Sequence, residues 1–193
     1  MPYSKSHKQA SYQKILDSAI KLFSSKGFDQ VSIDELMKDA GLTRGAFYLH
    51  FKNKQAVYSK AIIAGARKSR IMHVKPEGMT NEEWTKDLLF GYLSKEHIEQ
   101  KMSPCPLAFL VTDIANNEEE VKTTYTRMFK HLNKTIQMQL KDNPKYKEDD
   151  ILATTAMMIG AVAIGRALTD EDVIANLLES CRSKSADLLG LNV

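Results

Sequence analysis

Apolar residues recur along this chain at three- and four-residue intervals, and no long stretch alternates at every second position. Ile15, Ala19, Leu22 and Phe23 fall at i, i+4, i+7 and i+8, which predicts one amphipathic helix over 11–26. Gly27 follows where a left-handed residue can end it. Ser32 with Glu35 three residues on predicts a capping box. Ile33, Leu36, Met37 and Ala40 then make a second stripe, closed by Gly41. After Leu42, Thr43 can cap a third helix to about His50, and Lys54 opens a fourth carrying Val57, Ala61, Ile62 and Ala64.

Pro76 and Gly78 break the pattern, and we place a domain boundary near 75, giving segments 1–75 and 76–193. Thr80 and Glu83 predict a second capping box, ahead of Trp84, Leu88, Leu89, Tyr92 and Leu93. Pro106 suits the first turn of a further helix, where its missing N–H costs nothing. Asn117 with Glu120 opens a long helix to about Leu140, and two more are expected over 149–168 and 170–189. The expected fold is all-α, with about nine helices.

Charge adds a division the apolar pattern lacks. The formal net charge is +3, but residues 1–75 hold 14 Lys/Arg against 5 Asp/Glu, and residues 76–193 hold 13 against 19. A basic first segment on an acidic remainder fits a nucleic-acid-binding head on a separate body, although a surplus of surface lysine would look the same. The longest apolar run, "AMMIGAVAIG" at 156–165, is about half of what a membrane span needs. The first fourteen residues carry lysines with no apolar stretch behind them, so no secretory signal and a cytoplasmic location are expected. Cys105 and Cys181 have no CxxC partner, and the five histidines show no metal-ligand spacing. With no phosphate loop or nucleophile elbow either, the pattern gives no support to an enzyme, a cofactor or a metal.

The chemistry lies in residues 32–50. Two helices joined by "GLT" make a helix-turn-helix, whose second helix reads the major groove with its N-terminal residues. Phe47 and Phe51 can face the core, while Arg44 and Tyr48 share another face. An exposed Arg at a helix start suits guanine O6 and N7 or a phosphate, and also suits plain solvation. Gly45 costs about 1 kcal/mol against alanine and leaves room for a close neighbour such as a DNA backbone. Lys54, in the first turn of the fourth helix, stands where a phosphate would be favoured. His50 can cap its helix C-terminus or meet a phosphate.

The stretch "ILDSAIKLFSSKGFDQVSIDELMKDAGLTRGAFYLHFKNKQAVY" has A-x-x-L-F, then G-F, a serine-opened second helix, Y-x-H-F and K-x-K. Through these motifs residues 11–58 resemble the DNA-binding domain of the tetracycline-repressor (TetR) family of bacterial transcription regulators. The resemblance places operator contacts on Ser32, Thr43, Arg44, Gly45, Tyr48, His50 and Lys54, with Leu49 where many members have a second aromatic or polar residue. It implies a homodimer on a palindromic double-stranded DNA operator, and a repressor released by a small-molecule inducer.

Small residues Ala156, Gly160, Ala163 and Ala167 form a helix face that suits close packing within the chain or between copies. The resemblance makes this stretch part of a dimer interface, together with Ile174 and Leu178. It also implies an inducer pocket in the body, for which Trp84, Tyr92, Cys105, Phe109, Tyr125, Met128, Phe129 and Met157 are candidates. Each of these suits an ordinary core as well. "SPCPL" sets Cys105 beside a helix start, where a lowered thiol pKa would favour reaction with electrophiles or oxidants, as in some relatives with a similar "CPL". A buried, inert cysteine is the alternative.

Overall fold

The computed structural model describes residues 5–69, 75–101, 104–141, 143 and 146–192. Its described residues hold eleven α-helices and no strand, so the count exceeds the nine expected. The additional elements are short. Between α5 (Asn81–Tyr92) and α9 (Glu119–Leu140) lie α6 (Lys95–Ile98), α7 (Pro106–Phe109) and α8 (Val111–Ala115). None is long enough to show a helical period in the sequence.

The first four helices follow the expected order. α1 (Lys5–Lys26) begins six residues before the expected start at residue 11, because residues 5–10 are exposed and need no apolar face. It buries Ile15, Leu16, Ala19, Leu22 and Phe23 and stops at Gly27, whose φ is +82°. α2 (Ile33–Asp39) starts at Ser32, whose Oγ accepts from the Glu35 N–H at 3.1 Å. The reciprocal half of that capping box is replaced, since the Glu35 carboxylate pairs with Lys26 at 2.5 Å. Gly41, at φ +66°, turns the chain into α3 (Arg44–Tyr48). α4 (Lys54–Lys68) follows, and Asn53 Oδ1 accepts from the Ala56 N–H in its first turn.

The chain divides into two compact units that interleave in sequence. The first is Met1–Gly65 with Leu110–Tyr125, and the second is Ala66–Phe109 with Thr126–Val193. α4 and α9 therefore each supply residues to both. In the first unit, Phe23, Phe28 and Tyr58 form an aromatic centre, with Tyr58 4.8 Å from each of the other two rings. Ile15, Leu36, Phe47, Val57 and Ile62 complete a core with no exposed surface.

Residues 110–125 are tied into this unit through Asp113, whose Oδ2 accepts from the Phe28 N–H at 2.9 Å. A Cβ on Gly27 would lie 2.7 Å from that same oxygen. Gly27→Ala is therefore strained twice, by its left-handed backbone and by the displaced carboxylate. We expect a loss of about 1–2 kcal/mol from the backbone conformation, or more as the Asp113 hydrogen bond is lost, measured by denaturant unfolding. An unchanged midpoint would mean that this turn relaxes freely.

In the second unit, α5 opens with the full capping box: Glu83 N–H donates to Thr80 Oγ1 at 3.2 Å and Thr80 N–H donates to Glu83 Oε2 at 2.8 Å. α10 (Glu148–Gly165) and α11 (Glu171–Leu189) pack against each other, and α5, α6 and α7 pack on α10. Asp170 caps α11 through Oδ1, and Gly190 ends it at φ +63°. No helix among the described residues is long and apolar enough to cross a membrane.

Candidate functional site

α3 has five residues, too few to hold a helix by themselves, and is fastened from behind. Phe47 is fully buried, 5.6 Å from the Phe51 ring, and Phe51 stacks on Tyr12 of α1 at 5.2 Å. This leaves the other face of α3 outward. Arg44 and Tyr48 are exposed there, Tyr48 at 53 %. Among the described residues, a Cβ on Gly45 would meet nothing closer than Thr43 Oγ1 at 4.0 Å, so none of them requires glycine at that position. Thr43 occupies the N-cap position of α3 without making a side-chain cap bond, and it is exposed beside Arg44.

The Arg44 guanidinium donates to Asp34 Oδ2 of α2 at 2.7 Å. Tyr48 and Asp34 both favour its charged form and raise its pKa further. Ser32, Thr43, Arg44, Gly45 and Tyr48 are thus brought to one end of the helix-turn-helix as exposed residues.

The remaining two contacts expected from the sequence are placed differently. Lys54 turns inward: its ammonium donates to the carbonyls of Phe28 at 2.9 Å and Val31 at 3.1 Å, and sits 4.0 Å from the Phe28 ring centroid. The lysine expected at a phosphate instead holds the loop before α2. His50 faces α1, its Nε2 2.9 Å from Ser11 Oγ, with the Tyr12 ring 5.9 Å away edge-on. Burial, and then the charge of Lys8, push the His50 pKa below its ordinary value. Ser11 and Asp34 carry no motif, and only their contacts reveal them.

Known proteins match this head. Residues 15–61 fit the family of bacterial regulatory proteins, tetR family. This similarity covers about a quarter of the chain, the part that holds the helix-turn-helix. Over 57 residues it is 46 % identical to the HTH-type transcriptional regulator AcrR of Shigella flexneri, covering 30 % of this chain and 26 % of that protein. Over 49 residues it is 39 % identical to IcaR, the negative transcriptional regulator of the biofilm operon icaADBC in Staphylococcus epidermidis, covering 25 % of this chain and 26 % of IcaR. The chain thus matches about a quarter of the length of each of these curated relatives.

The whole fold has counterparts too. The reduced form of Escherichia coli NemR superposes with a TM-score of 0.74 at 14 % identity, covering 95 % of this chain and 98 % of NemR. A TetR-family regulator from Agrobacterium tumefaciens gives 0.74 at 16 % identity, covering 92 % and 98 %. At such identity the likeness concerns the fold alone.

Within this fold, the second unit gathers Tyr92, Cys105 and Phe109 around His97. The His97 ring lies 4.6 Å from Tyr92 and 5.5 Å from Phe109. Its Nδ1 is 2.7 Å from the Tyr92 carbonyl, and its Nε2 is 3.3 Å from the Cys105 amide nitrogen. Arg166 stacks on Phe109 at 3.8 Å and donates to that residue's carbonyl at 3.3 Å. The sequence pattern did not single out His97 or Arg166; a lone basic residue closing the apolar α10 was the available signal. Trp84 is buried in the same unit, where Met128, Phe129 and Met157 are half-buried. Tyr125 falls in the first unit.

Cys105 departs from the expectation of a lowered thiol pKa. It is fully buried, and burial pushes its thiol up, while neighbouring hydroxyls and backbone N–H groups oppose this only in part. α7 is a single turn, whose short row of peptide dipoles cannot outweigh that desolvation.

The small-residue face of α10 divides as its period requires. Ala156 and Ala167 are exposed, Gly160 and Ala163 are half-exposed, and a Cβ on Gly160 would touch none of the described residues within 4 Å. Leu152 and Ile164 of α10 and Val173 of α11 are also exposed. Gly165 faces inward, where a Cβ would lie 2.5 Å from Ile98 Cδ1. Ile174 and Leu178, expected at an interface between copies, are instead buried within this chain at 6 % and 3 % exposure. They sit on the face of α11 that packs inward, one helical turn apart.

Proposed function

We propose that this chain is a homodimeric repressor, acting in the cytoplasm on a palindromic operator and released by a small-molecule inducer. The outward face of α3 carries the reading: Arg44, Gly45 and Tyr48 are exposed together, and none of the described residues fills the space that Gly45 leaves. A helix gives up about 1 kcal/mol by placing glycine there, and close approach of a duplex supplies a reason. The exposed small-residue face of α10, with Gly160 open, supports a close two-fold pairing of bodies. Two heads would then meet half-sites about 34–36 Å apart. IcaR, described as a negative regulator, supports repression as the direction of control.

A non-covalent inducer fits the second unit better than a covalent signal at Cys105. Complete burial and a raised pKa leave little thiolate to react with an electrophile or oxidant. The inducer must bind the arrangement incompetent for DNA more tightly than the competent one, since equal affinity shifts nothing.

Binding to a fragment from the promoter region, followed by anisotropy, tests the reading. Arg44→Ala is expected to weaken specific binding by about 1–3 kcal/mol, with a smaller loss on random DNA. Equal losses on both would make Arg44 a phosphate contact. No binding by the wild-type chain at low salt, to any promoter fragment including its own, would overturn the proposal.

A further inference from the structure

A groove of about 250 Å³ runs beside α3, between it and the first turns of α1. Leu42, Ala46 and Leu49 line it from one side, at i, i+4 and i+7, and Leu49 remains 61 % exposed. His7, Lys8 and Ser11 line it from α1, and His50 joins them from the end of α3. The Ser11–His50 contact at 2.9 Å ties the two walls together. The groove therefore has an apolar floor and a basic rim, and it shares α3 with the exposed Arg44–Gly45–Tyr48 face.

The charge of α1 points to an anionic occupant. From Lys5 to Lys14 the helix carries three lysines and a histidine and no Asp or Glu, and its first turn has no acidic residue. The helix dipole favours acidic side chains there and disfavours these cations. The arrangement costs the free protein stability, and an anion laid along the groove reverses that cost. The occupant also needs an apolar side to meet Leu49 and Ala46. A nucleic-acid strand offers both, with deoxyribose rings between phosphates spaced along one edge.

We infer that this groove seats one sugar–phosphate strand of the duplex beside the recognition helix, with Lys8 at a phosphate and Leu49 against deoxyribose. This rests on the DNA-binding reading above and extends its footprint from the helix-turn-helix to the first turns of α1. Such a contact positions the head without reading sequence, because phosphate contacts carry no base information.

The test is the salt dependence of binding to a promoter fragment and to random DNA, for wild type, Lys8→Ala, Lys8→Arg, Leu49→Glu and Arg44→Ala. Lys8→Ala is expected to weaken both DNAs alike. It should lower the slope of log K against log salt by about 0.9 for each bound head, and Lys8→Arg should restore it. Leu49→Glu, at an exposed position, is expected to keep the melting temperature and to lose at least tenfold in affinity for both DNAs. A Lys8→Ala slope equal to wild type would overturn the inference. So would a Leu49→Glu chain that binds as wild type does, since the lysine would then act at a distance over an empty groove. In either case a normal loss in Arg44→Ala leaves the DNA-binding function standing, whereas a wild-type chain that binds neither DNA removes both.

Discussion

Phe47→Ala is expected to cost the first unit about 3–5 kcal/mol, the range for emptying a fully buried aromatic site. That is a large share of the roughly 5–15 kcal/mol that holds a typical domain. The effect on function should exceed the effect on folding. α3 spans five residues and is anchored in the core through Phe47 and the adjoining Phe51, so the exposed face that carries Arg44 and Tyr48 depends on that anchor more than on its exposed ion pair with Asp34. DNA binding should therefore be lost at temperatures where far-ultraviolet circular dichroism still reports folded helices. Phe47→Leu, which keeps most of the volume, should cost about 1.5 kcal/mol or less and retain binding. Denaturant unfolding of both variants checks this, and a loss below 1 kcal/mol for alanine would show that another group anchors α3.

The second large effect concerns acid. His97 is enclosed between a carbonyl acceptor at Nδ1 and an N–H donor at Nε2, so the neutral ring with its proton on Nδ1 satisfies both partners. A second proton would aim an N–H at the Cys105 N–H. Burial holds the His97 pKa below 6.5, with Arg166 adding in the same direction and the Tyr92 carbonyl opposing.

The unfolded chain, with an ordinary histidine, therefore binds more protons than the folded one near and below pH 6.5. The stability that His97 provides is complete above pH 6.5 and falls as the pH drops from there toward the native pKa. Chemical denaturation between pH 7.5 and 5 should show this decline. His97→Gln keeps a donor and an acceptor but does not titrate, and should remove the His97 part of the slope. His97→Ala should cost about 3–5 kcal/mol at pH 7.5, through the cavity and the two buried backbone groups left without partners. A slope unchanged in His97→Gln would assign the acid sensitivity to other groups.

The parts of the fold that were legible in the sequence are those written in local chemistry. Ser32 and Thr80 accept the N-terminal hydrogen bonds of their helices, and Gly27 and Gly41 adopt the left-handed turns that their positions implied. Such signals depend on residues within one turn of each other. The placement of Phe47 inside and Tyr48 outside was legible for the same reason, since a period of 3.6 separates them.

What the pattern missed depends on partners distant along the chain. Lys54 reads as a surface cation until the loop carrying Phe28 and Val31 folds back over it. Cys105 reads as the start of a helix, but desolvation, a property of the assembled core, decides its chemistry. Ile174 and Leu178 share the apolar character of an interface between copies and of an interior, and only the packing of α11 separates these. The three short helices α6–α8 are held by their surroundings rather than by their own sequence.

Asp113 gives the head an unusual boundary. The carboxylate that accepts the Phe28 N–H and fills the space beside Gly27 comes from eighty-five residues further along the chain. Gln55 likewise donates to Glu118 at 2.8 Å, and Lys52 pairs with Glu120 at 3.6 Å. An engineer who wished to exchange heads between two regulators could not do so with one crossover near residue 75. The transplanted segment would arrive without the carboxylates that close it, and the recipient would keep a stub shaped for a different turn. A workable chimera needs two inserts, residues 1–65 and 110–125, moved together.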